Sequence, residues 1–594
     1  MIKTTQIKSL AATNWRFHKA IFVLTLCLTL IVPTPANDSH GTIQQSSKSA
    51  VLLKSIGDEY YQKIKAQQEG IPDLSYTKAQ TDAAFAQTML DKLKAIKPTE
   101  LTHEETISLE ILRWKATQTM ESLPFFWYQP ILTPYASPLR NTSLKFVALQ
   151  FNSKDDLSRY LTMLRSFAAF VKTMQANTAE QRKQHIILPK DEIKLVLPYL
   201  SSFLREPEQS AFYVSEARLV KIAAEERAPF QQKVVDLIKT EINANLQSLI
   251  TYVGGEYLQQ APEAIGQWQY PQGKEFYRHL VRFHTTLNIT PEEVHRTGLA
   301  YVQKINEKMA RVRQQLGYKG TKAEFHQYLK SDAKFFPKTA DEIGERLMHH
   351  AKRIAPKLSD YFSKQPQAPY GVKRLETAME GAQTFGYYQR PTKLDPKGYY
   401  NYNGSNLSQR STLNAASLVF HELCPGHHFQ INLQAENKAL PAFRRESTYT
   451  AYSEGWGEYA SQLGEEMQMY EDPYDMYGRL AMEMFVSVRL VVDSGMNYFG
   501  WSRSKAIEFM RDNALESEAQ LQTETLRYAC DLPGQALAYK MGASQFLTLR
   551  EKAQKELDGK FNIRDFHDAV LASGSMPMEV LSGHVDWFIA NHRK

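Results

Sequence analysis

Between Ser55 and His350, apolar residues recur three and four positions apart, the spacing that lays one stripe along an α-helix. The stretch "TPEEVHRTGLAYVQKINEKMARVRQQLG" shows the pattern in full. Val294, Gly298, Val302, Ile305, Met309 and Val312 share a face, Thr290 with Glu293 forms a capping box, Pro291 suits the first turn, and Gly317 offers a stop. Thr339 and Glu342 repeat the start signal after Pro337. These segments predict core helices and carry no chemistry of their own. From Gln365 to Ser411 the texture changes to Pro, Gly, Asn and Tyr. Within it "GYYNYNGS" alternates Tyr400 and Tyr402 with Asn401 and Asn403, which predicts either a short strand whose edge could pair with an extended peptide, or an ordinary loop or hairpin. After Ser411 the helical spacing resumes to the C-terminus, broken at "DPYDMYGRL" and "CDLPGQALAYKMG". No repeat of solenoid length is present.

Composition narrows this picture. The chain has 594 residues, 43 % of them hydrophobic, enough to bury a large core in one big domain or two closely packed ones. Residues 1–36 read as a secretory signal: Lys3, Lys8, Arg16 and Lys19 make a basic leader, Ile21 to Val32 is a largely apolar run, and "PTPA" ends in small residues at Ala36. That run is shorter than the about 20 residues a membrane-spanning helix needs. The expectation is export to the periplasm or beyond with cleavage, and no stable membrane insertion afterwards; a retained N-terminal anchor is the alternative. Cys27 is a poor lipid-acceptor site, because Leu26 stands where a small residue is required. Losing the leader lowers the formal net charge from +7 by four, so no nucleic-acid partner is implied. Cys424 and Cys530 are the two cysteines left, too few for a disulfide scaffold. The sequence thus divides into the leader, a helical region at 37–364 and a region at 365–594 that carries the candidate chemistry, the last two packed as one unit.

That chemistry centres on "LVFHELCPGHHFQ". It begins like the metal helix of a zinc peptidase, with Glu422 following His421, yet Pro425 occupies the position four residues on where a second histidine belongs. His427 and His428 come six and seven residues after His421, which on a regular helix means about 9 and 10.5 Å of rise, too far apart to share one zinc. Pro425 lacks the amide proton that would bond to the His421 carbonyl, and Gly426 tolerates unusual torsions, so a break here can absorb two residues and return a histidine to the metal. Spacing alone leaves His427 and His428 both open. A third ligand is offered by "TYTAYSEGWGEYASQLGEEM", where Glu454 and Glu458 lie on one helical face and Gly455 and Gly457 permit close helix approach.

The succession "HELCPGHHFQ", "YSEGWGEYA", "RLVVDSGMNYFGWS", "RYACDLPGQALAYKMG" and "FHDAVLASGSMPMEVL" resembles the bacterial domain-of-unknown-function 885 family, placed among the zincin metallopeptidases of the glutamate-ligand type. The resemblance runs over most of the chain, to Val585. It implies a mainly α, large helical two-lobed metallopeptidase-like fold with a small β element near the active-site cleft. Carried over residue by residue, it implies one zinc ion held by His421 and His427, with His428 as substitute or supporting partner, and by Glu454, with Glu458 as second choice. Glu422 is then the general base that activates water against a peptide carbonyl. Tyr528 and Tyr539 are candidate donors to the oxyanion, with Arg527 to hold a carboxylate or orient the tyrosines. Arg489, Asp493 and His567 also lie in these motifs and fit buried ion pairs or supporting hydrogen bonds equally well.

Two other readings compete. Cys424 lies four residues before His428, which permits a cysteine nucleophile with a histidine base but leaves Glu422 and Glu454 idle. A secreted helical protein that binds peptides or zinc without catalysis is the other. The expected partner in the leading reading is a short peptide substrate, with the cleavage position and oligomeric state left open.

Overall fold

The computed structural model of the chain describes residues 47–135, 137–380 and 386–593, so the expected leader and Cys27 lie outside the described residues. The capping-box segment forms one helix, Pro291–Gln315, in which Thr290 and Glu293 bond reciprocally and all six positions of the apolar stripe are buried. It packs along the helix Pro473–Asn497. Thr339 likewise caps the helix Ala340–Ile354 by accepting a hydrogen bond from the Glu342 amide. The architecture is mainly α, as expected, and the described strands form a single small sheet.

That sheet comprises β1 (Tyr370–Arg374), β2 (Tyr387–Gln389) and β3 (Gly398–Tyr402), in the order β1-β3-β2. β3 runs parallel to β1, with Tyr370 opposite Gly398, and antiparallel to β2, with Tyr387 opposite Asn401. The Tyr–Asn alternation therefore does mark a strand, but an interior one. Its two edges are already engaged, so the outer edges of the sheet belong to β1 and β2.

Three large apolar cores hold the helices. The first three helices of the described chain, between Lys48 and Ser122, join the helices on either side of Pro425, the helix Thr450–Glu466 and the C-terminal helices in one cluster. Residues from Leu132 to Ala261 build a second core of their own. The helices Pro291–Gln315 and Pro473–Asn497 anchor a third, with Tyr528 and Ala529. No helix among the described residues is long and apolar enough to cross a membrane. Elements of the first and third cores face each other across the cavity that holds the candidate chemistry.

Candidate metal centre

The helix carrying His421 runs from Ala415 to Glu422 and stops where proline withdraws its amide proton. Leu423 and Gly426 leave helical torsions, the Cys424–Pro425 peptide is cis, and a new helix starts at His427 and continues to Glu436. The turn is tight: a β-carbon on Gly426 would lie 1.8 Å from the His421 carbonyl oxygen, so only glycine lets the chain pass. Trp456, fully buried, closes the break by donating its indole N–H to the Pro425 carbonyl at 2.9 Å. The interruption sets the His421 and His427 rings 4.7 Å apart and nearly perpendicular.

Glu454 faces them from the helix Thr450–Glu466. Its Oε2 lies 3.4 Å from His421 Nε2 and 3.5 Å from His427 Nε2, and one ligand atom from each of the three residues falls within 4.8 Å of the others. One turn on, Glu458 accepts a hydrogen bond from His421 Nδ1 at 3.1 Å. This contact keeps a proton on Nδ1, so Nε2, which faces Glu454, is the nitrogen that loses its proton to make way for an ion, the arrangement that orients metal-binding imidazoles. Two glycines fix the helix in place. A β-carbon on Gly457 would meet the His421 ring at 2.7 Å, and one on Gly455 would meet the Cα of Gly542 on the crossing helix Leu537–Leu557 at 2.5 Å.

The electrostatics call for positive charge. Burial works against protonating His421, yet hydrogen bonds to Glu454 and Glu458 outweigh it and hold its pKa well above the usual imidazole value. Burial also opposes ionisation of Glu454, and hydrogen bonds from His421 and His427 outweigh that in turn, pulling the carboxyl far below its usual range. Two imidazole nitrogens and a carboxylate oxygen are a donor set typical of zinc and other divalent ions, and His427 Nε2 faces the cluster while its buried Nδ1 has no partner among the described residues. The residues fit a metal ion. Glu458→Gln is expected to weaken metal binding by about 10–100-fold, the usual effect of removing an orienting partner. Competition against a chromophoric chelator measures this, and unchanged affinity would reject the orienting role.

Glu422, on the last turn before the break, borders a cavity of about 390 Å³ beside the cluster, and its carboxylate accepts no hydrogen bond from any described residue. Burial, ahead of its neighbours' charges, pushes its pKa up. Tyr539 also lines the cavity, its ring 6.3 Å from that of His421 and nearly parallel to it. Arg527 reaches the same space.

Other sequence candidates lie elsewhere. His428 points away from the cluster: its Nε2 donates to the Ala368 carbonyl at 2.9 Å and its Nδ1 accepts from the Tyr388 hydroxyl at 2.9 Å. Both nitrogens are thereby used in tying the histidine helix to the sheet, so His428 is no substitute ligand. Tyr528 is fully buried and does not line the cavity; its hydroxyl donates to Glu524 and accepts from Arg489 Nε at 2.7 Å, which removes it as an oxyanion donor. Tyr528 lies in the π-type turn Arg527–Asp531, where it faces the core while its neighbour Arg527 lines the cavity. Asp493 accepts from Tyr277, Asn497 and the Gly534 amide, and His567 bonds Tyr459 and the Tyr361 carbonyl, so both are supporting residues. Cys424 and Cys530 are unpaired and buried, and burial pushes the Cys424 thiol up to about 12, unfavourable for a thiolate nucleophile. Sequence reasoning missed Gly386, Tyr387 and Tyr388, which bring β2 to the cavity wall, and Tyr135, which comes from far up the chain. No local signal pointed to either.

Comparisons with known proteins bear on the fold. The chain superposes on the crystal structure of a candidate lipoprotein from Colwellia psychrerythraea with a TM-score of 0.81, over 92 % of this chain and 99 % of that one, at 24 % identity. A candidate lipoprotein of unknown function from Shewanella oneidensis gives 0.68, over 90 % and 99 %, at 19 % identity. A candidate oligoendopeptidase F from Bacillus anthracis str. Ames gives 0.27, over 88 % and 95 %, at 13 % identity. No curated protein sequence matches the chain. The profile of a family described as bacterial protein of unknown function, DUF885, matches residues 53–585.

Proposed function

The chain belongs to the DUF885 family, and from the chemistry of its buried cluster we propose that it is an exported, zinc-dependent hydrolase of peptide bonds in short peptides. One observation carries the reading. His421, His427 and Glu454 converge, and beside them the carboxylate of Glu422 is left without a partner among the described residues on the wall of a cavity. A purely structural cluster has no use for that free carboxylate.

In this reading His421, His427 and Glu454 hold the ion. Zinc bound there would supply Lewis acidity, which polarises a carbonyl and brings the acidity of water near neutrality. Glu422 takes the proton from the attacking water and passes it to the leaving amine. Its raised pKa suits both halves of that task. Tyr539, whose hydroxyl has no protein partner among the described residues, donates to the carbonyl oxygen as charge builds there. Glu458 keeps His421 in the correct tautomer throughout. The outer edge of β2, at the cavity wall, offers main-chain partners to an extended substrate. Export is supported by the basic and apolar leader and by the description of two relatives of the same fold as candidate lipoproteins.

The test is digestion of a mixed peptide library by zinc-loaded protein, with cleavage positions read by mass spectrometry. Cleavage is expected to vanish on chelation and return with zinc. Cleavage that survives thorough chelation, or none from protein carrying one zinc per chain, would reject the proposal.

A further inference from the structure

The wall of the cavity opposite the histidines carries more positive charge than its own carboxylate can satisfy. Arg489, from the helix Pro473–Asn497, and Arg527 both line it, and both are almost wholly buried. They share one close acid, Glu524, and each reaches it only at 3.4 Å. Arginine–carboxylate pairs normally close to about 2.7–2.9 Å. Glu524 cannot come closer to both, because its oxygens are also taken by the Tyr528 hydroxyl and by Gln520 Nε2 at 3.0 Å. Arg527 Nε has no partner among the described residues, and the remaining Arg527 bond goes to the neutral Gln535 at 2.8 Å. The acids further off offset the charge weakly: burial first of all pushes Glu516 and Asp493 up to about 7 and Asp531 up to about 6. A buried guanidinium facing a cavity without its full set of acceptors is costly to maintain, and an anion in the cavity removes that cost.

The position says which anion. The Tyr539 ring lies between the two walls, 6.3 Å from the His421 ring and 4.8 Å from the Arg489 guanidinium. An extended peptide advances about 3.3–3.6 Å per residue, so a chain with its reacting carbonyl at the histidines reaches the arginines within about three residues. We infer that Arg489 and Arg527 form a carboxylate clamp for the C-terminal end of the substrate, which makes the protein selective for peptides cut one to three residues from a free C-terminus. The selectivity rests on the peptidase reading above; the binding of the carboxylate does not. An acidic side chain near that end offers the same chemistry and is the competing source.

Calorimetric binding separates these. Zinc-loaded Glu422→Gln protein is titrated with a short peptide as its free acid, as its C-terminal amide, and as an amide ending in glutamate. The free acid is expected to bind at least ten-fold more tightly than either amide. Arg489→Met and Arg527→Met should each abolish that preference while the plain amide binds as before, which also shows that the variants are folded; Arg489→Lys should restore part of it. Equal binding of all three peptides overturns the clamp, as does a preference that survives both methionine variants. Tighter binding of the glutamate amide alone overturns the terminal assignment in favour of a side-chain site. Because the readout is binding, selective capture of the free acid beside a zinc-loaded parent protein, with Glu422 intact, that cleaves nothing would reject the hydrolase and leave the clamp standing.

Discussion

Glu422→Gln is expected to lower peptide turnover by about 10²–10⁴-fold while leaving the metal content at one ion per chain. The amide has the size and shape of the carboxylate and cannot accept a proton, so the change isolates proton transfer from metal binding. Little folding energy is at stake, since Glu422 accepts no hydrogen bond from any described residue and lines the cavity. Steady-state kinetics beside elemental analysis of the same sample reads both quantities. Retained turnover would remove Glu422 as the base, and loss of the ion would move it into the ligand set.

Glu454→Ala is expected to have the opposite signature, losing the ion first and the activity with it. Closed zinc sites with four protein ligands hold their ion by about 10–16 kcal/mol, so one donor among three accounts for several kcal/mol, or two or more orders of magnitude in affinity. The neighbour Glu458 is not free to replace it, because its Oε1 is engaged by His421 Nδ1. Elemental analysis after dialysis should find the variant empty where the parent keeps its ion. Full occupancy would show that Glu454 is no ligand.

What could be read from the sequence follows the range of the forces involved. The helix Pro291–Gln315 was legible to its caps because hydrogen bonds three residues apart and an apolar stripe are local signals. The break after Glu422 was legible for the same reason: proline removes one specific hydrogen bond. Which histidine returns to the cluster was not, since it depends on torsions at Leu423 and Gly426 that packing against Trp456 helps to set. Tyr528 and Tyr539 had equal claims in the sequence and part company in space, because the Tyr528 hydroxyl is taken up between Arg489 and Glu524, partners on other turns and elements that its own motif does not reveal. The interior position of β3 depends on partners at 370–374 and 387–389, neither of which its own alternation reveals. The pairing of Arg489 with Arg527 around Glu524 likewise joins residues on separate elements.

Glu454 shares its helical turn with Gly455 and Gly457, and neither glycine leaves room for a side chain: Gly455 meets Gly542 on one side, and Gly457 meets the His421 ring on the other. The carboxylate of Glu454 is therefore carried on a segment wedged between two surfaces, with no slack in either direction. An ion arriving at such a centre finds its donors already assembled, and little conformational entropy is left for it to extinguish. The cluster is a mould set before casting, so that any selectivity among divalent ions would owe as much to the rigidity of the frame as to the chemistry of the three donors.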